Sequence, residues 1–214
     1  MRTPDFQALA SAMQSLVPTR LAELVVYRSI KPDVARHHGS TFLDGTHSGK
    51  AGGRYNPPNG EPITYFAGSQ TLAVWESEQE QFMIGLHLSN PPQSPRLVCS
   101  VILRHLRVLD LDNGMHRHHL NLQGLQQELV RPSAQWRHAL QRGDPVLTHD
   151  IGRAAWGRAD LDGILFPSWL SDILGNHTLP RLQNLVLFMD PARGDRPRNH
   201  AVSVTVHDPS GLAP

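Results

Sequence analysis

The sequence predicts an α+β fold of mixed, mostly antiparallel sheets with flanking helices. Short apolar runs of strand length recur along the 214 residues, and stretches with helical spacing lie between some of them. The two kinds of element follow one another without the regular strand–helix alternation of a doubly wound sheet. The length suits a single domain with a proper core.

Residues 5–17 place Phe6, Leu9, Ala10, Met13, Leu16 and Val17 at helical spacing. Leu24–Ile30 is a β-rich run that Pro32 helps to stop. Residues 35–60 are dense in Gly, His, Ser, Asn and Pro and read as a long loop. Ile63–Ala67 is a short strand, and Ser69 caps a helix running to about Met83. Asn90–Pro95 is a linker into Leu97–Leu109, whose alternation suits a strand. His118–Leu140 is helical with a break at Pro132, and Val146–Arg158 is a second helical piece. Gly163–Phe166 and Asn184–Met189 are strands of the fully buried kind, and Val202–Val206 alternates as an edge strand. The tail beyond Asp208 is expected to fray.

Composition narrows the function classes. With 39% apolar and 18% charged residues the chain is an ordinary soluble protein. A net charge of +1 argues against a large footprint for direct nucleic-acid binding. No apolar run approaches the roughly 20 residues of a membrane helix, so no membrane association is expected. The single cysteine, Cys99, suits a reducing compartment, and no secretory signal is visible, so a cytoplasmic location is expected. All basic residues but Lys31 and Lys50 are arginine, whose planar fork suits phosphate and carboxylate. Codon usage in a GC-rich genome explains the same skew.

Several motifs fail. Gly45–Lys50 resembles a phosphate loop, but its glycines are one residue too close, Ala51 replaces the needed hydroxyl, and no apolar strand leads into it. Thirteen histidines, among them His37, His38, His116, His118 and His119, invite a metal reading. No acidic or cysteine partner stands at ligand spacing near them, so no metal is expected. Neither Ser-His-Asp nor Cys-His chemistry has a signature.

Residues 26–76 carry the chemistry. All three tyrosines lie there, at Tyr27, Tyr55 and Tyr65. The stretch reads Val26-Tyr27-Arg28, Gly52-Gly53-Arg54-Tyr55-Asn56, Tyr65-Phe66-Ala67, then Leu72 to Glu76. Downstream stand Asp162 to Ser168 and Gln183 to Phe188. Arg28 sits in an apolar strand and needs an acidic partner or an anionic ligand. Gly52-Gly53 allows close backbone approach beside Arg54. Glu76 follows Leu72 and Ala73 on an apolar helical flank. Arginines, a carboxylate and tyrosines are the parts a dinucleotide site needs. Each has a structural alternative: an Arg28–Glu76 ion pair, a solvated Arg54, a core Tyr65. Periodicity also leaves Glu78 and Glu80 open in place of Glu76.

This ordered series resembles the RES family, named for its arginine, glutamate and serine. The resemblance spans roughly residues 24–190, taken as the RES domain, with 1–23 as an N-terminal helical extension and 191–214 as a C-terminal strand and tail. Arg54, Tyr65 and Glu76 stand eleven residues apart, in agreement with the family layout. The resemblance implies an ADP-ribosyltransferase-like fold and a toxin that degrades NAD⁺ at its nicotinamide–ribose bond, by hydrolysis or phosphorolysis. Its rivals are a protein mono-ADP-ribosyltransferase and a silent partner-binding domain. It places the catalytic residues on Arg28, Glu76 and Ser168, and NAD binding on Arg28, Arg54, Asn56, Tyr65 and Ser168. NAD⁺ is substrate, and no helper cofactor or metal is implied. The implied partner is an Xre-type helix-turn-helix antitoxin. This chain departs from the family in a longer loop over 35–53, in Trp75 before the glutamate, and in an expanded segment over 169–183.

Overall fold

The computed structural model describes residues 4–32, 42–77, 96–129, 133–170 and 183–207. Its elements are α1 (Phe6–Ser15), β1 (Thr19–Ile30), α2 (Thr46–Ala51), β2 (Ile63–Ala67), α3 (Gln70–Ser77), β3 (Leu97–Asp110), α4 (Gly114–His119), α5 (Gln126–Leu129), α6 (Ser133–Gln141), α7 (Leu147–Trp156), β4 (Gly163–Pro167), β5 (Gln183–Phe188) and β6 (Ser203–His207). The fold is α+β, as expected.

The strands form one sheet in the order β1-β2-β5-β4-β3-β6, and a further β1–β3 pairing closes it into a barrel. The expected separate sheets are therefore a single closed one. Closure removes the free edges of all the ring strands. The β3–β4 pair is parallel and every other pairing is antiparallel. β1 begins at Thr19, upstream of Leu24, because its pairing with β3 starts at Thr19↔Val108. β3 pairs with β1 along one edge, so β6 and β4 share the other, at Ser100–Arg104 and Val108–Asp110. Between them His105 takes a left-handed φ of 63°. There the buried positions shift from Cys99, Val101 and Leu103 to Leu106 and Val108.

β4 and β5 are apolar on both faces because both faces are covered. Leu165, Leu185 and Leu187 fill the barrel with Val26, Phe66 and Val101. Ile164, Phe166, Val186 and Phe188 face outward into a second core with Leu9, Met13 and Ile151 of α1 and α7. Asp5 caps α1, its carboxylate accepting from Ala8 N–H at 2.8 Å. The buried Arg158 guanidinium caps the other end by donating to the Met13 and Leu16 carbonyls. A third small cluster packs α3 down through Leu72 and Ala73 onto Ala67, Trp169 and Leu170.

The stretch His118–Leu140, expected to be helical with one break at Pro132, falls into three short helices: α5 and α6 stand on either side of Pro132, and a further break, not expected, separates α4 from α5. Asn121 and Gly124 take left-handed φ values of 56° and 75° in the turn between the first two. Ser69 caps α3 as expected, its hydroxyl accepting from Leu72 N–H at 3.2 Å. Described α3 ends at Ser77, so Glu78, Glu80 and Met83 lie outside the described residues. Among the described residues no helix is long and apolar enough to cross a membrane.

Candidate functional site

The outer face of β2, β5 and β4 carries a cleft of about 560 Å³ between α3, α6 and the Gly52–Asn56 loop. That volume lies within the roughly 300–1,000 Å³ of small-molecule sites. Its lining includes Arg54, Tyr65, Ala67, Glu76, Phe166 and Asn184. The row follows from register, since Ala67 and Phe166 both pair with Asn184.

Glu76, in the last turn of α3, is bound by side chains from the far part of the chain. Its Oε1 accepts from Ser168 Oγ at 2.5 Å and Asn184 Nδ2 at 2.6 Å, and its Oε2 accepts from Trp169 Nε1 at 2.9 Å. The Ser168 hydroxyl also accepts from Leu170 N–H at 3.1 Å, which fixes its direction. A carboxylate with several donors is held in one rotamer. Of the residues expected from the sequence, Glu76 and Ser168 are in direct contact. Trp169 and Asn184 were not anticipated as site residues. Asn184 left a signal, because it is a polar residue opening the apolar run Leu185–Phe188.

The opposite wall is the Gly53–Asn56 turn, closed by Gly53 N–H to Asn56 C=O at 2.8 Å. The Tyr65 hydroxyl accepts from Tyr55 N–H at 2.8 Å and donates to Asn56 Oδ1 at 3.1 Å. Burial pushes the Tyr65 phenol well above its ordinary value, so it keeps the proton it donates. Asn56 Nδ2 donates to the Ser48 and Glu61 carbonyls at 2.7 and 3.2 Å. A Cβ on Gly53 would stand 2.4 Å from the Tyr65 oxygen, which is why glycine is needed there. From α7, His149 Nε2 donates to Gly53 C=O at 2.9 Å. Burial pushes the His149 imidazole below its ordinary value and favours the neutral form.

This turn holds Arg54 with 8% of its surface exposed and its guanidinium 5.5 Å from the Phe166 ring centre. One of its terminal nitrogens, Nη1, is buried with no hydrogen-bond partner among the described residues. A buried guanidinium N–H without a partner, on a residue that lines the cleft, calls for an anion.

Arg28 is not brought to this cleft. Its Nη1 and Nη2 donate to the Phe42 and Asp44 carbonyls at 2.6 and 3.0 Å, and burial pushes the guanidinium down to about 10, still cationic at neutral pH. Strand parity explains the separation. Val26 faces the barrel interior, so Arg28 two residues on shares that side, whereas Tyr27 packs with the α3 cluster. The Arg28–Glu76 ion pair is absent. Tyr65 lines the cleft and the buried Asn56 does not, and the polar groups of both are engaged with the Gly53–Asn56 turn and its surroundings.

Gly45–Lys50 is the N-cap and most of the body of the short helix α2. His116 accepts from Asp110 N–H at 3.0 Å, and His119 contacts the Ala12 carbonyl at 3.0 Å. Among the described residues no three His, Cys, Asp or Glu side chains stand together to hold a metal ion.

A family model described as RES domain matches residues 7–207, almost the whole chain. Among solved structures, the chain is similar to one from M. tuberculosis described as the crystal structure of the MbcT–MbcA toxin–antitoxin complex. The identity is 19%, the match covers 96% of this chain and 95% of that one, and the TM-score is 0.60. At that identity the likeness is one of fold. Comparison with curated proteins gives no match.

Proposed function

The chain belongs to the RES-domain family, and from that premise we propose that it is an enzyme cleaving the nicotinamide–ribose bond of NAD⁺. What carries the reading is one cleft that sets a pre-oriented carboxylate, Glu76, against a buried guanidinium, Arg54, with an N–H left open. A dinucleotide offers the matching parts: ribose hydroxyls and a developing ribosyl cation for the carboxylate, diphosphate oxygens for the guanidinium. The barrel with its flanking helices then serves as an ADP-ribosyltransferase-like scaffold.

Nicotinamide leaves as a neutral base, so no proton has to be delivered to it. The C1′–N bond breaks with its electron pair going to the ring nitrogen. Water adds to C1′ and loses a proton to solvent, or phosphate adds in its place. Glu76 stabilises the positive charge on the ribosyl carbon, and Ser168 keeps the Glu76 carboxylate in place. Arg54 binds the diphosphate, Tyr65 packs beside the nicotinamide, and Tyr65 and Asn56 together hold the turn that carries Arg54. Arg28 acts at a distance, through the Phe42–Asp44 loop.

In the cell this activity is that of the toxin of a toxin–antitoxin pair, acting in the cytoplasm and restrained by an Xre-type helix-turn-helix antitoxin. The similar fold in a toxin–antitoxin complex supports this role.

The test is purified protein mixed with NAD⁺, with free nicotinamide measured with and without phosphate. Release of nicotinamide is expected, and its dependence on phosphate identifies the acceptor. No release from folded protein overturns the reading. Arg54→Ala is expected to weaken NAD⁺ binding about tenfold or more, the effect of one lost charged hydrogen bond. Binding should suffer more than folding, since Nη1 has no partner to lose and the loss to the fold is that of packing against Phe166. Calorimetry showing unchanged affinity would place the diphosphate elsewhere.

A further inference from the structure

Asn184 lies at the junction of α3, β4 and β5 with one end of its amide unused. Its Nδ2 donates to Glu76 Oε1 at 2.6 Å, while its Oδ1 is buried with no hydrogen-bond partner among the described residues. Which end is which follows from chemistry: an ionised carboxylate only accepts, so the NH₂ end faces Glu76 and the oxygen faces away. The residue is 5% exposed and lines the cleft. Its backbone is held on both sides, by Ala67 of β2 and Phe166 of β4, so the oxygen's position is preset.

The acceptor count at Glu76 completes the picture. Oε1 takes Ser168 and Asn184 and is filled, whereas Oε2 takes only Trp169 among the described residues. A carboxylate oxygen carries two lone pairs. Two residues of the cleft lining therefore keep an unfilled acceptor, Glu76 at Oε2 and Asn184 at its buried Oδ1, and a single hydrogen bond joins the two side chains. Leaving a buried carbonyl oxygen unmatched is unfavourable, and such an atom marks where a ligand donor belongs. Two neighbouring acceptors match two neighbouring hydroxyl donors, which is the vicinal diol of a ribose.

Resting on the NAD⁺ reading above, we infer that Asn184 is a specificity-determining residue that accepts one hydroxyl of the nicotinamide ribose while Glu76 Oε2 accepts the other. Asn184 thus reads the sugar directly, in addition to orienting the carboxylate.

The experiment compares kcat/KM for NAD⁺ with that for analogues lacking the 2′ or the 3′ hydroxyl of the nicotinamide ribose, in wild type and in Asn184→Leu. Wild type is expected to lose about tenfold or more with either analogue, from one unmatched acceptor each. Asn184→Leu should become indifferent to one missing hydroxyl and still penalise the other. A residue that only braces Glu76 lowers all three substrates together and leaves both ratios as in wild type; that result, or the loss of both penalties at once, overturns the inference. Asn184→Ala is the second variant should leucine prevent folding. Wild type alone also tests it, because equal turnover of NAD⁺ and both analogues overturns the inference without any variant. If folded wild type cleaves no NAD⁺, the parent reading falls; cleavage with unchanged ratios removes only the role of Asn184.

Discussion

Glu76→Gln is expected to lower NAD⁺ turnover about 10²–10³-fold, the usual effect of removing a preorganised electrostatic stabiliser. The hydrogen bonds explain why an isosteric change is so damaging. A glutamine keeping its oxygen toward Ser168 and Asn184 turns its NH₂ toward the Trp169 indole N–H, donor against donor. Turning it round sets the NH₂ against the Asn184 amide instead. The variant thus loses the charge and gains one mismatched contact, which lowers stability by about 1–3 kcal/mol without abolishing the fold. Circular dichroism and nicotinamide release check the two parts separately. Expression of the wild-type chain alone in a bacterium should arrest growth as NAD⁺ falls, and Glu76→Gln should relieve both. Full turnover in the folded Glu76→Gln protein shows that the catalytic carboxylate is another one, with Glu78 next to be changed.

Gly152→Ala is expected to be the most damaging small substitution outside the cleft. A Cβ there would stand 1.8 Å from the Tyr55 carbonyl oxygen, and that atom is backbone, so the turn itself has to move. Overpacking of this kind commonly costs about 1–3 kcal/mol, here at the upper end, or roughly 2–4 °C in Tm for each kcal/mol in a domain of this size. The displaced turn carries Arg54, so NAD⁺ binding should weaken together with Tm. Gly157→Ala is the control. Its Cβ would meet the Ala154 carbonyl oxygen at 3.4 Å, an ordinary contact, and it should stay within about 0.5 kcal/mol of wild type. Equal melting temperatures for the two variants would show that α7 does not brace the turn.

The elements legible in the sequence are those whose pattern is local. Ile63–Ala67 emerged as a strand because turn residues bound it on both sides, and the runs that became β4 and β5 because they are apolar on both faces. The break at Pro132 was legible, but the one between α4 and α5 was missed although Asn121 and Gly124, the residues that take left-handed φ, stood in plain view. In the site, Glu76 and Ser168 come together as the family resemblance implied. Arg28 does not, for a reason no single strand contains: alternation puts Val26 and Arg28 on one face, but only barrel closure makes that face the interior. Gly152 is likewise silent in the sequence. A helical glycine states no contact, and its partner Tyr55 comes from a turn far upstream.

The donors that hold Glu76 stand 92, 93 and 108 residues further along the chain. A polypeptide growing from its N-terminus thus displays the carboxylate long before anything can orient it. β4, which ends just before Ser168, and β5, which contains Asn184, also supply two of the strands in the ring, so barrel closure and site assembly are a single event late in synthesis. Pairings this distant in sequence form slowly, because the intervening chain must be ordered first. The growing chain is inert by its topology, and activity arrives only once the last ring strand has been placed.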